Sequence, residues 1–129
     1  MEYRLYMDKI NLSVKLRNSL LDFIGVNYCG ANSAHVNFPH KTGVVINLGC
    51  KFGENCTVYQ GCTIAQKSVV GGGGNPFFGD NVTVYANSTI VGAVNIGNNV
   101  IIGANSFVDK NIPDNFVYIN GKLTKKKPF

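Results

Sequence analysis

The chain has 129 residues, 45% of them hydrophobic and only 15% charged, and it contains 15 glycines. This composition suits one folded domain and excludes a disordered acidic or basic protein. No apolar run approaches the roughly 18 residues of a membrane-spanning helix, and the charged segment 1–9 does not resemble a signal peptide. We therefore expect no membrane insertion and a cytoplasmic location with reduced cysteines.

The first 35 residues are predicted to form an N-terminal helical cap. Leucine, phenylalanine and isoleucine recur at helical spacing within residues 10–24, and Gly25 follows as a natural terminator. A short helix here would close the open end of a solenoid, which needs a polar cap.

A six-residue repeat begins at residue 40. Ten of its eleven first positions hold a large apolar residue, and the exception is the first. The positions are His40, Ile46, Phe52, Val58 and Ile64, then Phe78, Val84, Ile90, Ile96, Ile102 and Val108. A small or β-branched residue follows four places later, and Gly or Asn usually follows three places later. This period fits neither a helix nor a free strand, but it fits a stacked solenoid.

The repeat predicts an all-β fold, a left-handed parallel β-helix over residues 36–115. Three six-residue units would make one coil of a triangular prism, with the large and small residues pointing inward. Gly or Asn would take the positive φ at each corner. After Pro113 stops the repeat, residues 116–129 are predicted as a strand and a basic tail.

The repeat is interrupted between Ile64 and Phe78 by 14 residues instead of 12. The interruption contains four consecutive glycines, which cannot hold a packed strand. Residues 66–76 are therefore predicted to form a loop that protrudes from the prism. Such a loop is either a surface excursion or a lid that approaches a ligand.

Cysteine and histidine are the candidate reactive residues. Cys50, Cys56 and Cys62 stand six apart, so they are predicted to lie over one another as small core residues. His40 is either a satisfied core histidine or a general base for a hydroxyl, whereas His35 is expected to be structural or exposed. Two histidines with buried cysteines cannot supply the three ligands of a catalytic zinc, so we expect no metal.

Positive charge is concentrated near the C-terminus, where Lys122, Lys125, Lys126 and Lys127 give much of the net charge of +5. Such a cluster is typical of a solvated tail, a site for a small polyanion, or a surface for nucleic acid or membrane lipid. The sequence has no aromatic-interleaved basic stripe and no DNA-binding motif spacing. We therefore expect no nucleic acid partner.

Several segments resemble the serine acetyltransferase-like hexapeptide transferases. Residues 38–46 (FPHKTGVVI) are similar to the family's PHGTGIVI block, and residues 57–64 (TVYQGCTI) are similar to TIYQGVTI. Residues 102–108 (IGANSFV) resemble IGANSVV, and residues 109–114 (DKNIPD) resemble TKDIPDN. The resemblance covers about residues 36–121.

The resemblance implies a homotrimer that moves an acetyl group from acetyl-CoA to a hydroxyl, with active sites between neighbouring subunits. It implies that His40 is the catalytic base. The positions that it implies for coenzyme A contacts are Ala86, Gly103, Ala104 and Lys110.

Departures from the family pattern bear on the acceptor. Pro39 stands where serine-specific members often have Asp, residues 74–76 (GNP) replace their Arg-His-Pro block, and the repeats contain no Arg. These departures favour a sugar of a surface polysaccharide, or its precursor, over L-serine. Gly25 stands where the family has the Asp partner of the histidine. A non-catalytic trimeric scaffold is the alternative from another class.

Overall fold

The computed structural model describes residues 27–28, 35–40, 42–67 and 73–127. The predicted helix 10–24, most of the predicted cap 1–35 and loop residues 68–72 lie outside the described residues. The strands are β1 (Asn27–Tyr28), β2 (Val45–Ile46), β3 (Lys51–Phe52), β4 (Thr57–Val58), β5 (Thr63–Ala65), β6 (Phe77–Phe78), β7 (Thr83–Val84), β8 (Thr89–Val91), β9 (Asn95–Ile96), β10 (Ile101–Ile102), β11 (Phe107–Val108), β12 (Phe116–Ile119) and β13 (Lys122–Lys125).

The strands form three sheets that the chain visits in turn. Sheet 1 has the order β1-β2-β5-β8-β11, sheet 2 the order β3-β6-β9, and sheet 3 the order β4-β7-β10-β12-β13. Every pairing is parallel except that of β12 with β13. The prediction of a left-handed parallel β-helix is confirmed. We name the corners of the prism by the two sheets that they join.

The apolar residues of the repeat form inward columns, as predicted. In sheet 1, for example, Ile46 pairs with Ile64, which pairs with Ile90. The rings of Phe52 and Phe78 stack in sheet 2 at 4.6 Å between centroids. All ten apolar positions of the repeat are at most 8% exposed. Similar residues from successive coils stack on one another and form the core of the prism. Their burial is the main stabilising contribution.

The corners follow the predicted turn chemistry at two of the three edges. Between sheets 2 and 3, Asn55, Asn81 and Asn99 have φ of 56–57°, and the Asn81 and Asn99 amides hydrogen-bond in a ladder. The prediction is wrong at corner 1–2, where Asn111 does not have a positive φ. There β8 extends to Val91, and Gly92 takes the positive φ of 91° directly after it.

The three core cysteines are buried, but their predicted stacking is wrong. Because one coil has three corners, a spacing of six puts Cys50, Cys56 and Cys62 at three different corners of the same coil. Each thiol donates to a carbonyl of the next coil, as Cys56 Sγ does to Gly79 O at 3.1 Å. Burial raises the pKa of all three thiols, that of Cys50 to about 11. They are inert core residues.

Residues 66–76 connect β5 to β6 and depart from corner 1–2. The described return of this loop is fastened by Asn75, whose Oδ1 accepts a hydrogen bond from Asn47 Nδ2 at 2.6 Å. At its start, Lys67 forms an ion pair with Asp109 at 3.7 Å. The loop is therefore tied to corner 1–2 at both ends.

Candidate functional site

His40 lies outside the inward column, contrary to the sequence prediction. Asn37 is bridged to Thr57, 20 residues further on, whereas paired residues in the later coils are 18 apart, as Thr83 and Ile101 are. Gly61 N donates to Thr42 O, which restores the usual register. The first coil therefore carries two extra residues before Thr42.

The extra residues form a bulge that carries His40 to the surface. Phe38 packs against the core, while Pro39 and His40 are exposed. The column position was misassigned because the sequence repeat cannot show a local insertion. The sequence before the repeat does indicate the insertion, because the apolar pair Val36 and Phe38 stands two residues earlier than the six-residue frame predicts.

An aromatic column begins at His40 on the outer side of corner 3–1. The His40 ring centroid lies 6.4 Å from that of Tyr59, with the planes tilted by 47°. The Tyr59 ring in turn stacks on Tyr85 at 5.1 Å and 15°. We refer to His40, Tyr59 and Tyr85 as the aromatic column. The two tyrosines were not among the site residues predicted from the sequence. Each directly follows a strand of sheet 3.

Three of the four other predicted site residues lie at the same corner. Gly103 follows β10 as Tyr85 follows β7, and Ala86 and Ala104 occupy the next position of the turn. Asn105 N donates to Ala86 O at 2.9 Å, which locks these two turns in register. Lys110 lies instead at corner 1–2, with its Nζ 5.8 Å from the Tyr118 ring centroid. Within one chain, Lys110 and the loop 66–76 are thus on a different edge from His40.

Gln60 occupies the position of Ala86 and Ala104 in the coil nearer His40. Its Oε1 is buried and has no hydrogen-bond partner in the part of the chain that the structure describes. A buried acceptor without a donor is rare and costly in a folded protein. Corner 3–1 therefore holds one buried acceptor that no described residue satisfies.

A groove of about 420 Å³ lies on the outer face of sheet 3. It is lined by Ile101, Val117, Thr124 and the lysines of residues 125–127. Lys126 N donates to Asn115 O at 2.8 Å, so the lysines lie toward corner 2–3, across sheet 3 from the corner that carries His40. The groove has an apolar floor and a basic rim, which suits a ligand with a flat apolar part and anionic groups.

Three of the four described carboxylates are engaged away from His40, and the fourth, Glu54, is exposed at corner 2–3. Asp80 accepts from Glu54 N at 2.8 Å, and Asp114 accepts from Asn98 N at 2.7 Å, both at corner 2–3. Asp109 pairs with Lys67 at corner 1–2. Thus no carboxylate within the described ranges hydrogen-bonds to His40, and Gly25, at the family's Asp position, lies outside them.

His35 has a structural role. Its Nε2–H lies within hydrogen-bond distance of Phe52 O at 3.1 Å and Gly53 O at 3.0 Å, which ties the first coil to the second. Among the described residues, no group of three His, Cys, Asp or Glu side chains is arranged to hold a metal ion. In the same ranges no helix is long and apolar enough to cross a membrane.

Comparison with known proteins gives a consistent set of relatives. Residues 75–110 match the family model for the bacterial transferase hexapeptide (six repeats). A serine acetyltransferase of Staphylococcus epidermidis is 41% identical over 90 residues, which are 68% of this chain and 42% of that protein.

Solved structures give the same result. Serine acetyltransferase isoform 3 of Entamoeba histolytica, in complex with cysteine, superposes with a TM-score of 0.71 at 29% identity, over 97% of this chain and 46% of that one. The serine acetyltransferase of Neisseria gonorrhoeae, in complex with serine, gives 0.68 at 31% identity, over 88% and 48%. The chain thus spans less than half the length of these relatives.

Proposed function

Because the chain belongs to the serine acetyltransferase-like group of hexapeptide-repeat acyltransferases, we propose that it is an acetyl-CoA-dependent O-acetyltransferase. The observation that carries this proposal is the alignment along corner 3–1. An exposed His40 lies at the head of the same edge that holds Ala86, Gly103 and Ala104. A base and the positions that resemble donor contacts thus share one surface.

His40 acts as the general base. Its neutral imidazole accepts the proton of the acceptor hydroxyl while the hydroxyl oxygen bonds to the acetyl carbon and the carbon–sulfur bond breaks. The proton then passes to the departing thiolate. Acetyl-CoA supplies an acetyl group already activated as a thioester, so the protein needs no nucleophile of its own. The buried, neutral thiols are consistent with this direct transfer.

We assign the groove on the outer face of sheet 3 to the nucleotide part of acetyl-CoA. Ile101 and Val117 offer an apolar floor for the adenine ring, and Lys125, Lys126 and Lys127 offer cations to the phosphates. Lys110 is assigned to the donor by resemblance alone.

A homotrimer is part of the proposal. His40 is at corner 3–1, whereas the loop 66–76 and Lys110 are at corner 1–2. Both edges can serve one site only when two copies lie side by side. Sites between subunits, each with His40 from one copy and the loop from its neighbour, satisfy this requirement.

The favoured acceptor is a sugar hydroxyl, with L-serine as the second candidate. The relatives are named for serine, but both arginines of this chain, Arg4 and Arg17, precede the repeats. The repeats therefore lack the bidentate cation that best binds an amino acid carboxylate. A sugar acceptor has no carboxylate to satisfy.

The test is release of coenzyme A thiol from acetyl-CoA by the purified chain, with serine, simple sugars and nucleotide sugars as acceptors. Acceptor-dependent release with a sugar supports the full proposal. Release with serine alone keeps the acetyltransferase and overturns the sugar preference. Absence of release with every acceptor, while coenzyme A binding is also absent by calorimetry, favours the trimeric scaffold.

A further inference from the structure

The aromatic column answers a question that the proposed function leaves open, namely what orients the His40 ring. A general base is effective only when it is held within a narrow range of positions. In related catalytic sites a carboxylate holds the histidine, yet the four described carboxylates of this chain lie at corners 1–2 and 2–3. The resolved contact of the His40 ring is with Tyr59.

Tyr59 is itself held in place by the β-helix. Its backbone N–H donates to Val84 O at 2.9 Å, and that of Tyr85 donates to Ile102 O at 2.9 Å. Neighbouring strands lie about 4.8 Å apart, which matches the 5.1 Å between the two tyrosine rings. The coil spacing therefore stacks Tyr85 under Tyr59, and Tyr59 presents its other face toward His40.

The repeat does not require an aromatic residue at this position. Residues 85–88 read YANS, whereas residues 103–106 of the next coil read GANS. The turns are equivalent, and the Asn87 and Asn105 φ values are 60° and 58°. Tyr85 is thus an addition to a turn that folds with glycine, and its visible effect is to support Tyr59.

We propose that Tyr59, braced by Tyr85, is a positioning residue for His40. This inference rests on the proposed function. The tilted contact restricts the orientations that the imidazole plane can take. The contribution is to kcat, because Tyr59 orients the base and does not bind the donor.

Three variants test the proposal. Tyr59→Leu keeps an apolar side chain but removes the ring, and we expect kcat to fall about tenfold with KM for acetyl-CoA unchanged. Tyr59→Phe keeps the ring and should retain kcat within about twofold. Tyr85→Gly recreates the turn of residues 103–106 and should lower kcat severalfold without unfolding the chain.

A second measurement is independent of turnover. The chain has only two histidines, so the His40 ring signals in a proton–carbon NMR spectrum are identified by their loss in His40→Ala. The ring current of Tyr59 should displace them, and Tyr59→Leu should return them toward free-histidine positions while Tyr59→Phe leaves them in place.

The outcomes separate the two hypotheses. If the wild type transfers no acetyl group to any acceptor, the proposed function fails, and the NMR comparison alone decides the positioning. If Tyr59→Leu keeps both wild-type kcat and the His40 signals, the positioning role is overturned. It is also overturned if Tyr59→Phe loses kcat as Tyr59→Leu does, because the hydroxyl and not the ring would then be responsible.

Discussion

Gly49 packs against Asn75, so we expect Gly49→Ala to change the stability of the protein in a direction that depends on the Asn75 side chain. A methyl group added at Gly49 would overlap the Asn75 amide nitrogen and lie 2.8 Å from its Cγ. Asn75 would have to move, and its hydrogen bond from Asn47 Nδ2 would be lost. That bond fastens the return of the loop 66–76 to corner 1–2.

The magnitude follows from two opposing contributions. Gly49 does not have a positive φ, so alanine by itself should stabilise by about 0.4–1 kcal/mol through a less flexible unfolded chain. Displacing Asn75 should cost about 1–3 kcal/mol in lost hydrogen bonding and crowding. Gly49→Ala is therefore expected to destabilise the wild type by about 1–2 kcal/mol. In an Asn75→Ala background it should stabilise by about 0.5 kcal/mol.

A double-mutant cycle in urea, at one fixed protein concentration, measures this reversal of sign. The concentration must be fixed because an oligomer's stability depends on it. Destabilisation by Gly49→Ala of equal size in both backgrounds would refute the reasoning. The cost would then come from the backbone at Gly49 and not from Asn75.

Three further predictions concern the groove, the corner and the core. Gln60→Met should raise the thermal midpoint, because it removes a buried acceptor without a partner among the described residues; a lower midpoint would contradict this reading of Gln60. Changing Lys125, Lys126 and Lys127 together to Gln should raise the KM for acetyl-CoA severalfold and flatten its salt dependence. The control Lys51→Gln, on sheet 2, should leave both unchanged. Since burial raises the Cys50 pKa to about 11, its thiolate fraction at pH 8 is about 10⁻³, so peptide mass spectrometry should find it alkylated only after unfolding, and rapid native labelling would contradict its burial.

The six-residue repeat predicted the fold because every coil has to bury the same pattern of residues. A large inward residue, a small one near the corner and a turn residue recur every six positions, and parallel stacking is the solution that buries all of them. Prediction of the turns was wrong where strand length varies, as at Gly92, since one extra strand residue moves the turn.

The site was less predictable because it depends on departures from the repeat. The two extra residues before Thr42 move His40 from the inward column to the surface. A fixed six-residue period cannot represent such an insertion. The contact of Tyr59 with His40 arises from stacking between coils, which joins residues far apart in the sequence. The unsatisfied Oε1 of Gln60 could not be predicted either, because the spacing of residues in the sequence does not show which side-chain atoms are buried.

The central claim is that His40, exposed at corner 3–1, is the base of an acetyl transfer. The most direct measurement compares acceptor-dependent release of coenzyme A thiol by the wild type, His40→Ala and the control Glu54→Ala, which changes an exposed residue at corner 2–3. We expect His40→Ala to lower kcat about 10²–10⁴-fold, while its thermal midpoint and oligomeric mass stay at wild-type values. The activity of Glu54→Ala should also stay at the wild-type value. Turnover by a folded His40→Ala protein at the wild-type rate would contradict a catalytic role for His40.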